Sequence, residues 1–287
     1  MSEKSKTKWS FVVGIAGFII GIIGFLYGVY SNNQTGKEHS EIISLIKSFQ
    51  PQDLPESLNE EIRTVAERVS NPKTADDFYL IGYAAYNVKD HETAITYFQK
   101  AVKLNSKFEM AYNMMGLSYK LVGKYDEAIQ SYRKAIKINP EYALAYYNMG
   151  NAFFETKELD AAIQSFRKAI QFNLVNTYTS EAYRIMGAAY LILGKNDEAI
   201  QSLLKATEIK SDDAHVYNIL GVAYNMSGKY VEAFQSYRKA IELNPDDASA
   251  YNSMGNAYKA LGDQVRADEC FQKAKELQEK NTPSILH

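Results

Sequence analysis

The residues with the strongest intrinsic chemistry are one cysteine and four histidines. A cysteine beside a histidine would support nucleophilic catalysis, and clustered thiols and imidazoles would hold zinc. The spacing offers neither arrangement. His39, His91, His215 and His287 stand one to a region without carboxylate or thiol partners at ligand spacing, and Cys270 has no histidine near it along the chain. A lone cysteine also excludes an intrachain disulfide framework and a multi-cysteine metal site. Phosphate-cradling glycine loops, H-E-x-x-H helices and nucleophile elbows are absent from the sequence. The chain is therefore expected to be no enzyme and to need no cofactor. Its 32 basic and 34 acidic residues leave a net charge of -2, so nucleic acid is not an expected partner.

The remaining chemistry is recognition by amides and rings, and a repeating scaffold must position those groups. From Ala75 onward the sequence repeats every 34 residues. Glycine recurs at Gly82, Gly116, Gly150, Gly187, Gly221 and Gly255, each preceded four residues earlier by an aromatic ring, as in Phe78 and Tyr183. Alanines follow, from Ala94 and Ala101 to Ala267 and Ala274, with a large side chain between them at Phe98, Tyr132, Phe166, Leu203, Tyr237 and Phe271. The register breaks once, by a three-residue insertion around Asn176 to Thr179.

These residues resemble the tetratricopeptide repeat (TPR) family, over roughly residues 75–278. The resemblance implies an all-α fold: a right-handed α-solenoid of six helix pairs, at 75–108, 109–142, 143–179, 180–213, 214–247 and 248–278. One pair cannot bury its own apolar face, so units stack and the last must differ. Ile95, Ile129, Ile163, Ile200 and Phe234 give way to Asp268, and Val102, Ile136, Ile170, Thr207 and Ile241 give way to Lys275. Both changes place charge where a seventh unit would pack. Residues 279–287 are expected to be a C-terminal tail.

In this family the stacked first helices line a groove for a peptide or a partner's helix. Carried onto this sequence, the groove positions are Tyr79, Asn113, Tyr147, Arg184, Asn218 and Asn252, then Tyr83, Leu117, Asn151, Ala188, Val222 and Asn256, then Tyr86, Lys120, Phe154, Leu191, Asn225 and Lys259. Rings and aliphatic chains in the early units suit apolar anchors, while asparagines in the late units offer donor and acceptor together. The expected ligand is a protein or extended peptide that is not strongly acidic. The lysine and arginine carboxylate clamp of chaperone-binding members does not occur here. A lysine at one equivalent position of every unit, from Lys100 to Lys273, is interleaved with acidic neighbours such as Glu127 and Glu198, so a solvated face is expected there.

Residues 9–30 are 22 residues without a charge, long enough as a helix to span about 33 Å, and are expected to be a retained transmembrane helix. Residues 1–8 form a basic flank. Lys4, Lys6 and Lys8 precede the span against Lys37 and Lys47 after it, which places the N-terminus in the cytoplasm and the repeats outside it. Gly14, Gly17, Gly21, Gly24 and Gly28 share one helix face, the usual signature of transmembrane helix pairing, with another copy or a partner. Residues 31–74 lack the repeat and are expected to be a helical connector. The leading expectation is a membrane-anchored scaffold that assembles or organises a membrane-associated complex. A self-assembling structural protein and a regulatory subunit of an enzyme encoded elsewhere are the other readings.

Overall fold

The computed structural model describes residues 72–281. Among the described residues there are twelve α-helices and no strand: α1 Ala75–Asn87, α2 His91–Leu104, α3 Glu109–Leu121, α4 Tyr125–Ile138, α5 Ala143–Glu155, α6 Leu159–Gln171, α7 Asn176–Ile192, α8 Asn196–Ile209, α9 Ala214–Met226, α10 Tyr230–Leu243, α11 Ala248–Ala260 and α12 Gln264–Asn281. The fold is an all-helical tetratricopeptide-repeat solenoid. No described helix is long and apolar enough to cross a membrane. The expected transmembrane helix at 9–30 with its glycine stripe, the flank before it and the connector down to residue 71 lie outside the described residues, as do residues 282–287 of the expected tail.

The chain divides into two compact units, residues 1–118 and 119–287. In the first, α1 packs on α2. Thr74 starts α1 with a reciprocal cap, its hydroxyl accepting from the Asp77 amide while the Asp77 carboxylate accepts from the Thr74 amide. Tyr79, Leu80 and Phe98 are fully buried between the two helices, and the Tyr79 and Phe98 ring centroids lie 5.6 Å apart.

In the second unit the helices pair as α5 with α6, α7 with α8, α9 with α10 and α11 with α12. Consecutive first helices touch, α5 with α7, α7 with α9 and α9 with α11, whereas no two second helices of this unit do. The unit is therefore two-layered, with a continuous layer of first helices and a spaced layer of second helices. Within each pair the glycine is a place of close approach. A Cβ on Gly187 would lie 2.5 Å from Leu203 Cγ, and one on Gly221 would lie 2.5 Å from Tyr237 Cε1. The second helices α4, α6, α8 and α10 also turn a hydroxyl inward onto their own backbone, Ser131, Ser165, Ser202 and Ser236 donating to the carbonyl four residues back. Cys270 takes that position in α12 and is buried.

The insertion is absorbed by helix. α6 stops at Gln171, and Asn173 takes a left-handed φ of 59°. The Leu174 amide reaches back to the Ala169 carbonyl at 3.2 Å, the bond that closes a helix C-terminus. α7 then starts at Asn176 and runs for 17 residues, so it begins inside the stretch assigned from the repeat period to the third unit. At the other end α12 continues to Asn281, beyond residue 278. Asp268 and Lys275 are exposed on it, while Ile95, Ile129, Ile163 and Ile200 at the earlier Asp268 positions are buried.

Candidate partner-binding face

The first helices carry the expected groove residues, and the structure separates these into buried and offered groups. In the first unit Tyr79 and Tyr83 are fully buried, as is Asn113, and Leu117 is buried as well. The Tyr79 ring sits 4.9 Å from Phe108 and 6.2 Å from Tyr83. These side chains build the core instead of offering rings, and burial pushes the Tyr83 hydroxyl far above its ordinary range. Tyr86 is half-buried beside His91 at 5.5 Å, and burial raises its pKa too. The reason is geometric: the first helix of a pair is covered by its own second helix and by its neighbours, so helical spacing alone does not say which of two adjacent positions faces out.

In the second unit Tyr147 is buried against Phe166 and Tyr178, at 5.8 and 5.3 Å. Burial raises its pKa, and Asn151 opposes the shift. Asn151 donates to the Tyr147 carbonyl at 3.2 Å and stays half-buried, as does Phe154. Lys120 is half-buried, and desolvation pulls its pKa down against the attraction of Glu155. Arg184 is spoken for: Glu181, one turn back, grips it with both carboxylate oxygens, Nε to Oε2 at 2.7 Å, and holds the guanidinium above its usual pKa. This i, i+3 fork was readable from Glu181 and Arg184 as a charge pair.

Asn218 donates to Ser249 Oγ at 3.2 Å, tying α9 to α11, and Ser249 in turn hydrogen-bonds Asp247 Oδ1 at 2.6 Å. Asp247 caps α11, and its other oxygen lies 4.0 Å from His215 Nδ1. Neither Ser249 nor Asp247 is marked by the groove positions of the repeat. The side-chain carbonyl oxygens of Asn218 and Asn225, seven residues apart on α9, are buried without a hydrogen bond among the described residues. Asn252 is half-buried and Asn256 exposed on α11. The structure thus brings Asn151, Phe154, Asn218, Asn225, Asn252 and Asn256 into the touching layer of first helices, with Arg184 already engaged.

The repeated lysines are anchored more than a solvated face requires. Lys100 lies over the Tyr97 ring at 4.8 Å, Lys168 over Phe172 at 5.8 Å and Lys205 over Tyr183 at 5.5 Å. Lys239 and Lys273 instead meet glutamates three residues on. Among the described residues no group of three or more histidine, cysteine, aspartate or glutamate side chains is placed to hold a metal.

A two-layered stack of helix pairs with polar and apolar side chains along its first helices defines a tetratricopeptide-repeat interaction domain. Residues 108–284 match the family model of the cilia and flagella-associated protein 70 C-terminal domain, and residues 78–108 match a tetratricopeptide repeat. The first match covers more than half of the 287 residues, and the chain belongs to that family of tetratricopeptide-repeat domains. The crystal structure of MamA is 31% identical, with a TM-score of 0.53, over 58% of this chain and 95% of that one. YrrB, described as a TPR protein with an unusual peptide-binding site, is 23% identical with a TM-score of 0.55, over 64% of this chain and 93% of its own. Pseudomonas aeruginosa pilF shares the fold at 18% identity and a TM-score of 0.59, covering 78% of this chain and 99% of that one. No curated protein matches the chain.

Proposed function

We propose that the chain is a membrane-anchored adaptor that captures an extended, not strongly acidic peptide segment along the first helices of its second unit. The observation that carries this reading is the pair of carbonyl oxygens on Asn218 and Asn225 that are buried without a hydrogen bond among the described residues. A buried acceptor without a donor costs about 1–3 kcal/mol, and a small rotation of the carboxamide lets a peptide N–H repay it. Asn151 and Phe154 on α5 and Asn256 on α11 extend the surface in both directions with an amide, a ring and an amide. Peptide capture is also the property named for YrrB. The role is one of binding and assembly, not catalysis.

In this reading residues 9–30 span the bilayer, the glycine stripe pairs two such spans, and the repeats work outside the cytoplasm. The adaptor gathers partners into a membrane-associated complex. The test is capture from solubilised membranes by the wild-type chain and by a triple variant, Asn151→Ala, Phe154→Ala and Asn225→Leu. Loss of the captured partner with an unchanged helical spectrum is the expected result, and undiminished capture would refute the face. A periplasm- or lumen-dependent reporter fused after His287 checks the orientation: activity is expected, and silence overturns it.

A further inference from the structure

The second helices of the second unit are spaced apart, and between α6 and α8 a cleft of about 380 Å³ opens onto α7. That volume lies in the range of about 300–1,000 Å³ typical of ligand sites. Ile170, Tyr183 and Met186 supply apolar surface, while Arg167, Glu198 and Lys205 supply charge.

One helix pair earlier a ring lies against the equivalent tyrosine. Phe172 packs tilted against Tyr146 at 5.6 Å, and Lys168 leans on Phe172. In the next pair the position of Phe172 is held by Ile209, which is 39% exposed. No ring covers Tyr183 from there, and Lys205 lies directly over Tyr183. Leu104, Ile138 and Leu243 hold the same position in other units, so the ring at Phe172 is particular to its own pair and Tyr183 is covered by Lys205 instead.

Its charges are ordered. Arg167 Nη2 donates to Tyr190 Oη at 2.7 Å, which orients the guanidinium and leaves most of its five donors unspent. Among the described residues no carboxylate lies within ion-pair distance of Arg167 or Lys205. Glu198 and Lys205 are seven residues apart on α8, about 10.5 Å along the axis, so the acid and this cation stand two turns apart.

We infer that this cleft is a second peptide site, one that seats an apolar side chain on Ile170, Tyr183 and Met186 and a neighbouring carboxylate of the ligand on Arg167 and Lys205. It differs from the first-helix layer in position and in ligand charge: an acidic-apolar segment here, a segment without strong acidity there. A single chain thereby holds two different peptide segments, one on each layer of the same helix pairs.

The test is fluorescence polarisation of the full-length chain with labelled, end-capped glycine-serine nonapeptides carrying leucine-glutamate at the centre. Leucine-glutamine, leucine-lysine and serine-glutamate versions serve as comparisons. The leucine-glutamate peptide is expected to bind at least about tenfold more tightly than the others, and Lys205→Glu to weaken it by a similar factor, the range of close charge pairs. Lys205 is exposed, and Lys205→Gln provides a gentler variant if charge reversal disturbs the helical spectrum. The inference falls if no peptide binds, if the glutamine version binds equally, or if both Lys205 variants bind as the wild type does. Asn225→Leu, on the other layer, is expected to leave this binding unchanged. If that variant abolished it, the peptide would sit on the first helices, and the cleft assignment would fail while the proposed adaptor face stood.

Discussion

Lys229 Nζ lies 3.3 Å from Asp197 Oδ1, linking the residue that caps α10 to the first turn of α8. One pair earlier Lys195 meets Asp160 in the same way at 3.6 Å. The rung does not recur at the next step, where valine stands at Val231 in place of the acid and aspartate at Asp263 in place of the lysine. Val231 is 69% exposed. Both intact rungs sit largely in water, where such a pair contributes roughly 0.2–1 kcal/mol, and the aspartate gains a further few tenths from the helix N-terminus. Asp197→Asn is therefore expected to lower the unfolding free energy by about 1 kcal/mol at most. Urea melts at low salt and in about 1 M salt check it, since a short Debye length should erase most of the difference.

Gly221 and Gly123 look alike in sequence and fail for opposite reasons when replaced. A methyl at Gly221 would meet Tyr237 Cε1 at 2.5 Å and Cδ1 at 2.6 Å, and that ring is 1% exposed with nowhere to go. Gly123 has open space around its missing Cβ but a φ of 76°. Gly221→Ala is expected to cost about 1–3 kcal/mol despite alanine's better helix propensity. Gly123→Ala should cost about 1 kcal/mol through left-handed backbone strain. Thermal melts of the two variants, with Gly221 the more damaging, decide the matter.

Lys157 performs the same turn as Gly123 and Gly194 with the wrong residue, at a φ of 63°. Lys157→Gly relieves that strain, and its cost is the extra freedom of glycine in the unfolded chain. A gain of up to about 1 kcal/mol is expected. A lower melting temperature for this variant would mean that the lysine makes a contribution outweighing its backbone.

Much of this was legible in the sequence because the repeat couples two positions at once: a glycine such as Gly187 and a large side chain such as Leu203 make sense only as two helices in close contact. The terminal charges at Asp268 and Lys275 were legible for the same reason. What faced outward was harder to read. Tyr79 and Tyr83 carry polar tips on apolar rings, and only the surrounding side chains decide that both are buried. The fork of Glu181 on Arg184 removes a residue that position alone would have offered to a ligand. The cleft was not legible, because its lining from Arg167 to Lys205 comes together only once α6, α7 and α8 are placed.

Asn225 separates binding from folding. Its side-chain carbonyl oxygen is buried without a donor among the described residues, so an aliphatic residue of similar size removes a desolvation penalty of about 1–3 kcal/mol. Asn225→Leu is expected to leave stability unchanged or raised while weakening peptide capture on the first helices. A variant both less stable and fully competent in capture would assign the amide to structure alone.

Cys270 provides a chemical report on the last helix pair. Its thiol is buried, and desolvation, helped by the nearby Glu269 charge, raises its pKa above the ordinary thiol range. The folded state thus prefers the neutral thiol. Its contribution to stability is fully present below the unfolded thiol pKa and is lost as pH rises through the folded value. At about pH 8 the folded chain should hold less thiolate there than a free cysteine does, and since the thiolate is the reactive form, alkylation by iodoacetamide should be slower than for a free cysteine. Adding urea should restore the ordinary rate as α12 unpacks. An alkylation rate in native buffer equal to that of the denatured chain would show that α12 does not shield Cys270, and the packing of Gly255 against Phe271 and the Cys270 Cβ would have to be abandoned with it.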